Sequence, residues 1–223
     1  MHSRVLSDLT EPERAEVIAA ARPKLLRAHE PLAAQGSPAS AFYLIEVGHL
    51  KLSQLTPDGR EVIARFAGPG HAFGGIVVLG HETYPVSATA VGATRVLGWT
   101  KPVLMTLVQK YPQLRTRILE EIARHMTEAL TRVQELSTER VSQRLARTLL
   151  RLAESGGRRA DSRIDILHPI TRQELADLVG STLFTVSRLL ARWKDRGLID
   201  SRRSYVSVLD PAGLEALTTS AED

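Results

Sequence analysis

The chain contains no cysteine. That absence excludes disulfides, thiolate metal sites and cysteine-held iron–sulfur clusters. Long uninterrupted apolar runs are missing as well, and so is a signal-peptide apolar segment. A cytoplasmic protein with no membrane partner is therefore expected. Large net charge is also absent: the 223 residues sum to only +4, with 43% hydrophobic and 24% charged residues. Such a composition describes an ordinary globular chain, long enough for one or two domains with real cores. Catalytic constellations are equally scarce. No Ser-His-Asp order and no Gly-rich phosphate loop stands out. A metal-dependent enzyme on a double sheet would need clustered His and carboxylate ligands. The strand-rich region offers only His49, His71 and His81, with no His-x-His pair. Neither an enzyme nor a metal site is expected.

What is present is charge in one place. Arg140 to Tyr205 holds fourteen Arg or Lys against seven Asp or Glu, which leaves the rest of the chain near −3. A basic C-terminal third suggests a nucleic-acid-binding module attached to something else. The stretch from Ile170 to Ser201, ITRQELADLVGSTLFTVSRLLARWKDRGLIDS, gives that module a form. Ile170, Leu175, Leu178 and Val179 recur at helical spacing, Gly180 breaks the pattern, and Ser181 or Thr182 can cap a second helix. Val186, Leu189, Leu190 and Trp193 make the apolar stripe of that helix. Two short helices joined by a turn containing Gly form a helix-turn-helix, whose second helix enters the DNA major groove. Its outward residues are Leu183, Phe184, Thr185, Ser187 and Arg188. Arg172, Gln173, Ser181, Thr182 and Thr185 are candidate phosphate contacts. Leu198–Ser201 and Tyr205–Leu209 read as strands flanking Arg202-Arg203-Ser204, a wing whose two Arg residues can reach phosphates.

Earlier in the chain, the apolar pattern through Leu6, Leu9, Val17, Ile18 and Leu25 predicts one or two short helices. Ala41–Val47, Leu50–Leu55, Glu61–Phe66, Val86–Val91 and Thr94–Trp99 read as strands. Pro57-Asp58-Gly59 turns Leu50–Leu55 into Glu61–Phe66. Many short strands punctuated by Gly and Pro suggest a sandwich or barrel. Lys101–Lys110 is predicted as a short helix. A longer one follows from Pro112 to about Leu136, with two apolar stripes. One holds Ile118, Ile122, His125, Ala129, Val133 and Leu136, and the other Leu119, Ala123, Met126 and Leu130. Two stripes suggest cover on both sides, by the strand domain and by a partner helix. A further helix is predicted from Glu139 to about Ala153, then a polar loop over Glu154–Ile164. A short helix from Pro211 and a frayed tail close the chain.

ITRQELADLVG followed by TVSRLL and GLI resembles the C-terminal domain of the Crp/Fnr superfamily, the relatives of the cyclic-AMP receptor protein. FYLIEVGHLKLSQLTPDGREVIARFAGPGHAFGG resembles the first half of that family's cyclic-nucleotide-binding β-roll. The resemblance implies an α+β architecture: an N-terminal β-roll sensor over residues 1–111, a dimerisation helix and hinge over 112–137, and a winged helix-turn-helix over 138–223. It implies a homodimer that uses Ile118, Ile122, His125, Ala129, Val133 and Leu136, and a near-palindromic site on double-stranded DNA. RNA polymerase is an implied partner.

The resemblance also locates an effector pocket, at Gly74, Gly75, Ile76, Pro85, Val86, Ser87, Ala129 and Leu130. Family members that bind cyclic AMP carry a carboxylate where this chain has Gly75 and an Arg where it has Pro85 or Val86. Their purine-contacting hydroxyls fall on Ala129 and Leu130. All three determinants are missing, so gating by cyclic AMP in the family's usual way is not expected, and no cofactor is implied. Non-conventional gating by a cyclic nucleotide or by haem is the alternative, with His71 and His81 in the right region for haem. At the DNA, the family's Arg and Glu near the start of the recognition helix correspond to Leu183 and Phe184, while its further Arg is kept as Arg188. One guanine contact is therefore expected, with thymine-tolerant neighbours. A weakly specific architectural DNA-binding protein is the rival reading.

Overall fold

The computed structural model describes residues 3–160 and 163–219. The chain divides into two compact units, Met1–Ala129 and Leu130–Asp223.

The first unit is a double antiparallel sheet. One sheet has the order β1-β8-β3-β6, built from β1 (Arg22–Leu26), β3 (Ala41–Val47), β6 (Ala72–Phe73) and β8 (Thr94–Thr100). The other has the order β2-β7-β4-β5, from β2 (Pro31–Ala33), β4 (Leu50–Leu55), β5 (Glu61–Ala67) and β7 (Ser87–Ala90). The predicted β4–β5 hairpin is present, paired from Leu50↔Ala67 to Leu55↔Glu61. Leu44, Ile45, Leu50, Ile63 and Trp99 fill the core and are almost fully buried. Each such side chain contributes about 1.5–3 kcal/mol of burial. The Trp99 indole N–H donates to the Val17 carbonyl at 2.7 Å and fastens α1 (Glu11–Ala19) to the sheets.

The helical reading of the N-terminal segment fails beyond Ala19. Leu25 lies in β1, exposed, and pairs with Arg95. Pro23 cannot extend a helix, yet it is tolerated in β1 because that strand is a sheet edge. After β8 come α2 (Lys101–Lys110) and α3 (Pro112–Thr138). Leu114 and Ile118 of α3 are buried in this unit's core, and Ile122 packs against it.

The second unit begins within α3. It continues through α4 (Val141–Gly156), β9 (Gly157–Ala160), β10 (Arg163–Ile166), α5 (Arg172–Val179), α6 (Leu183–Asp195), β11 (Ile199–Arg202), β12 (Tyr205–Val208) and α7 (Pro211–Thr219). The sheet order is β11-β12-β10-β9. The segment predicted as a polar loop after α4 instead forms the β9–β10 hairpin, paired from Arg163↔Ala160 to Ile166↔Gly157. Only Ile164 and Ile166 alternate inward, too brief a signal among Arg, Asp and Ser to stand out. Residues 161–162 and the tail at 220–223 lie outside the described residues.

The core gathers Leu145, Leu149, Ile170, Leu175, Val186, Leu190, Trp193 and Val208. The last turns of α3 are tied down by polar contacts. Buried Glu135 accepts two bonds from Arg151. Arg132 donates to the Leu178 carbonyl and Arg144 Nε to that of Val179, at 2.5 and 2.8 Å. Those carbonyls end α5 and would otherwise lack intrahelical donors.

Candidate nucleic-acid interface and sensor site

The helix-turn-helix is specified locally. Thr171 caps α5 in a capping box: the Glu174 amide donates to its hydroxyl at 3.1 Å, and its own amide donates to the Glu174 carboxylate at 2.9 Å. Gly180 ends α5 at φ +61°, the left-handed region that glycine enters without a Cβ penalty. The Ser181 amide then closes on the Ala176 carbonyl at 2.9 Å. Thr182 caps α6 by accepting from the Thr185 amide at 3.2 Å.

Val186, Leu189, Leu190 and Trp193 turn inward. Phe184 is 74% exposed, Leu183 and Arg188 are exposed, and Thr185 and Ser187 are half-buried. Arg192 and Arg196 follow Arg188 at four-residue steps and are exposed too. Among the described residues, no carboxylate is paired with any of these three. Arg172 is exposed at the start of α5, whereas Gln173 donates to Asp177 at 2.8 Å within the helix. At the wing, Arg203 has φ +52°, and Arg202 pairs with Asp200 at 2.9 Å while staying largely exposed. The Ile170 amide donates to the Ser204 carbonyl at 2.7 Å, which fixes the wing turn beside the entry to α5.

In the first unit, the expected effector residues bring no cation together. Gly75 opens a 3-10 turn, Gly75–Leu79, against α3. A Cβ there would stand 3.2 Å from Ile118 Cγ2 and 3.4 Å from Ile122 Cδ1, so isoleucines occupy the space a carboxylate would need. Gly74 has φ +82°, and a Cβ there would meet the Ala41 carbonyl. Ile76 and Val86 pack on the core, and Pro85 is exposed. The Ser87 hydroxyl accepts from the Gln35 amide at 3.0 Å. Ala129 and Leu130 are exposed on α3.

Of the histidines considered for haem, His81 is exposed and His71 Nδ1 lies 3.2 Å from the Gly68 carbonyl. Burial, with His71 nearby, holds His49 down at about 4. No group of three metal-binding side chains occurs among the described residues.

The expected partner-facing stripe of α3 needs correcting. Ile118 and Ile122 belong to the first unit's own core, because they close over Gly75. His125 is engaged with Glu121 and Arg65. Exposed apolar side chains instead run through Met126 at 65%, Leu130 and Val133 at 61% each, and Leu136, with Ala129 alongside.

Residues 23–111 match the cyclic nucleotide-binding domain, and residues 143–217 match the Crp-like helix-turn-helix domain. The nitrogen fixation regulation protein FixK of Bradyrhizobium diazoefficiens is 33% identical over 80% of this chain and 74% of its own. The chain belongs to the Crp/Fnr family. It is a transcriptional regulator of that type with a helix-turn-helix DNA-binding domain. A CRP-like cAMP-activated global transcriptional regulator of Mycobacterium tuberculosis is 28% identical over 79% of each chain. The structure of FixK2 from Bradyrhizobium japonicum matches with a TM-score of 0.79, over 91% of this chain and 99% of that one, at 23% identity. That likeness carries the fold.

Two features of this Crp/Fnr regulator escape a reading of sequence alone. Arg192 and Arg196 extend the cationic face of α6, and their spacing from Arg188 is the signal that could have found them. Arg65 of β5 reaches His125 of α3 within the first unit, which no periodicity in β5 announces, although a shifted alignment to the family brings Arg65 near the expected pocket. No helix among the described residues is long and apolar enough to cross a membrane.

Proposed function

We propose that this Crp/Fnr regulator acts as a homodimer on a near-palindromic site in double-stranded DNA, and that cyclic AMP does not gate it through the family's phosphate-binding segment. The observation that carries the DNA reading is the unpaired outer face of α6, where Phe184, Arg188 and Arg192 project on successive turns. Arg188 is the candidate reader of a guanine edge, and Phe184 packs on a thymine methyl. Arg172, Arg202 and Arg203 serve phosphates, joined by Ser181, Thr182 and Thr185 around the cap of α6. The Met126–Leu130–Val133 stripe supplies the apolar helix face that a second copy would cover. In a two-fold dimer the recognition helices sit roughly 34 Å apart, one DNA turn. RNA polymerase is the partner through which a DNA-bound regulator acts.

The reading on cyclic AMP rests on Gly75 and on the absence of any cation among Gly74, Ile76, Pro85, Val86 and Ser87. A cyclic phosphate buried there would lack its counter-charge. The test is selection from a randomised DNA pool by the ligand-free protein, repeated with saturating cyclic AMP. Enrichment of one palindrome in both arms is expected. Enrichment only with cyclic AMP would overturn the reading of the pocket. Binding without sequence preference but with steep salt dependence would indicate an architectural protein, which the exposed Leu183 and Phe184 make the second reading.

A further inference from the structure

We propose that Leu183 and Phe184 form a methyl reader at the leading end of α6, which recognises the C5 methyl group of a pyrimidine in the major groove, whether on thymine or on 5-methylcytosine. This rests on α6 as the base-reading helix and adds which chemical group is read there.

Four phenylalanines occur in the chain, and three of them, Phe42, Phe66 and Phe73, are buried in the first unit. Phe184 is the exception, and Leu183 beside it is exposed as well. Burial within the fold therefore does not account for the pair, and adjacent exposed apolar side chains mark a contact surface. Phe184 precedes exposed Arg188 by one turn on the same helix face, and both lie within the Crp-like helix-turn-helix domain, which makes DNA the occupant of that surface.

The polar groups around the pair are already engaged. Thr182 Oγ1 accepts from the Thr185 amide at 3.2 Å, and the two threonine hydroxyls lie 3.0 Å apart. One proton of the two hydroxyls remains, enough for a phosphate beside the cap. Val186 is buried. Hydrogen-bonding side chains resume only at half-buried Ser187 and exposed Arg188. The first turn of α6 thus offers a base edge apolar surface, and no amide, carboxylate or guanidinium side chain.

In the major groove, thymine alone among the four bases carries an apolar group, its C5 methyl. The other edges show only donors and acceptors, and a phenyl ring pressed on them removes water without replacing its hydrogen bonds. Two contributions then act in one direction: the methyl gains by burial, and the bare edges lose by desolvation. Cytosine C5 occupies the corresponding place, and methylation puts the same carbon there. Cytosine methylation within the site therefore strengthens binding instead of blocking it. Burying one methyl is worth about fourfold in affinity, and the half-sites of a two-fold dimer multiply to roughly fifteenfold.

The experiment is selection by the full chain from three randomised DNA pools, followed by equilibrium binding to the selected duplexes. One pool is natural, one has deoxyuridine for thymidine, and one has 5-methyldeoxycytidine for deoxycytidine. Thymine next to the Arg188 guanine is expected from the natural pool, and the guanine itself from all three. Uracil in place of that thymine should weaken binding about fourfold per half-site, and 5-methylcytosine should bind more tightly than cytosine there by a similar factor. Phe184→Ala should remove most of both methyl effects while leaving the salt slope unchanged, because the phosphate contacts stay. Phe184→Glu should exchange thymine for cytosine, by accepting from its N4 amino group, and should ignore the C5 methyl. A selected half-site without thymine, thymine and uracil palindromes bound within about twofold of each other, or full methyl discrimination in Phe184→Ala would each overturn the methyl reader alone. No preferred sequence from any pool would overturn α6 as a base reader and the methyl reader with it, so the two failures are told apart.

Discussion

Arg188 and Arg192 sit one turn apart on α6, both exposed, yet they are expected to do different work. If Arg188 reads a guanine edge, Arg188→Ala should cost about 1–3 kcal/mol and relax preference at one base pair per half-site. If Arg192 meets a phosphate, Arg192→Ala should weaken all sequences alike and lower the salt slope by about 1. Binding titrations over a salt series with matched and mismatched sites separate the two. The outward placement of Phe184 and Arg188 was legible, because a 3.6-residue period assigns each position a face. Ile118 and Ile122 were misread because two apolar stripes share α3 and period alone does not say which one the sheets take. His49 makes a residue-scale prediction of another kind. Burial disfavours its charged form in the folded state, so the unfolded chain takes up the proton first as pH falls below the ordinary 6.5. Stability is then lost progressively down to about 4 and no further from this group. Denaturant unfolding across that window should show the loss, and His49→Gln should flatten it.

Among elements, the helix-turn-helix and the β4–β5 hairpin were readable because each carries its own instructions: caps and a glycine stop in one, a Pro-Asp-Gly turn in the other. β1, β9 and β10 carry none. β1 pairs with β8 and β10 with β12, residues far apart in sequence whose pairing leaves no local trace, and β9 in turn pairs with β10. The effector-pocket expectation rested on resemblance alone. What fills that pocket, Ile118 and Ile122 against Gly75, became visible only when α3 met the 3-10 turn. The exposed stripe of α3 gives the element-scale test. Leu130→Glu or Val133→Glu should dissociate a dimer in sedimentation while leaving helix content unchanged, since neither side chain is buried within one chain. Dimers that persist in both variants would place the interface elsewhere.

At the scale of the whole molecule, the charge asymmetry seen in the composition has a structural home. The basic excess is confined to the stretch from Arg140 to Tyr205, inside the second unit, and among the described residues Arg188, Arg192 and Arg196 along α6 carry part of it without an acidic partner. The boundary between the units falls at Ala129–Leu130, inside α3, which runs unbroken from Pro112 to Thr138. A helix is not a tether, because it conserves phase. Each residue advances the chain by about 100° and 1.5 Å, so angular bearing passes along it as faithfully as length. One residue inserted after Ala129 would swing Leu130 and Val133 roughly a quarter-turn away from Met126 and split the stripe between two faces. Seven inserted residues would lengthen the rod yet return the bearing to within about 20°. Dimerisation and DNA binding should therefore survive the longer insertion better than the shorter one, the reverse of what a flexible linker would give.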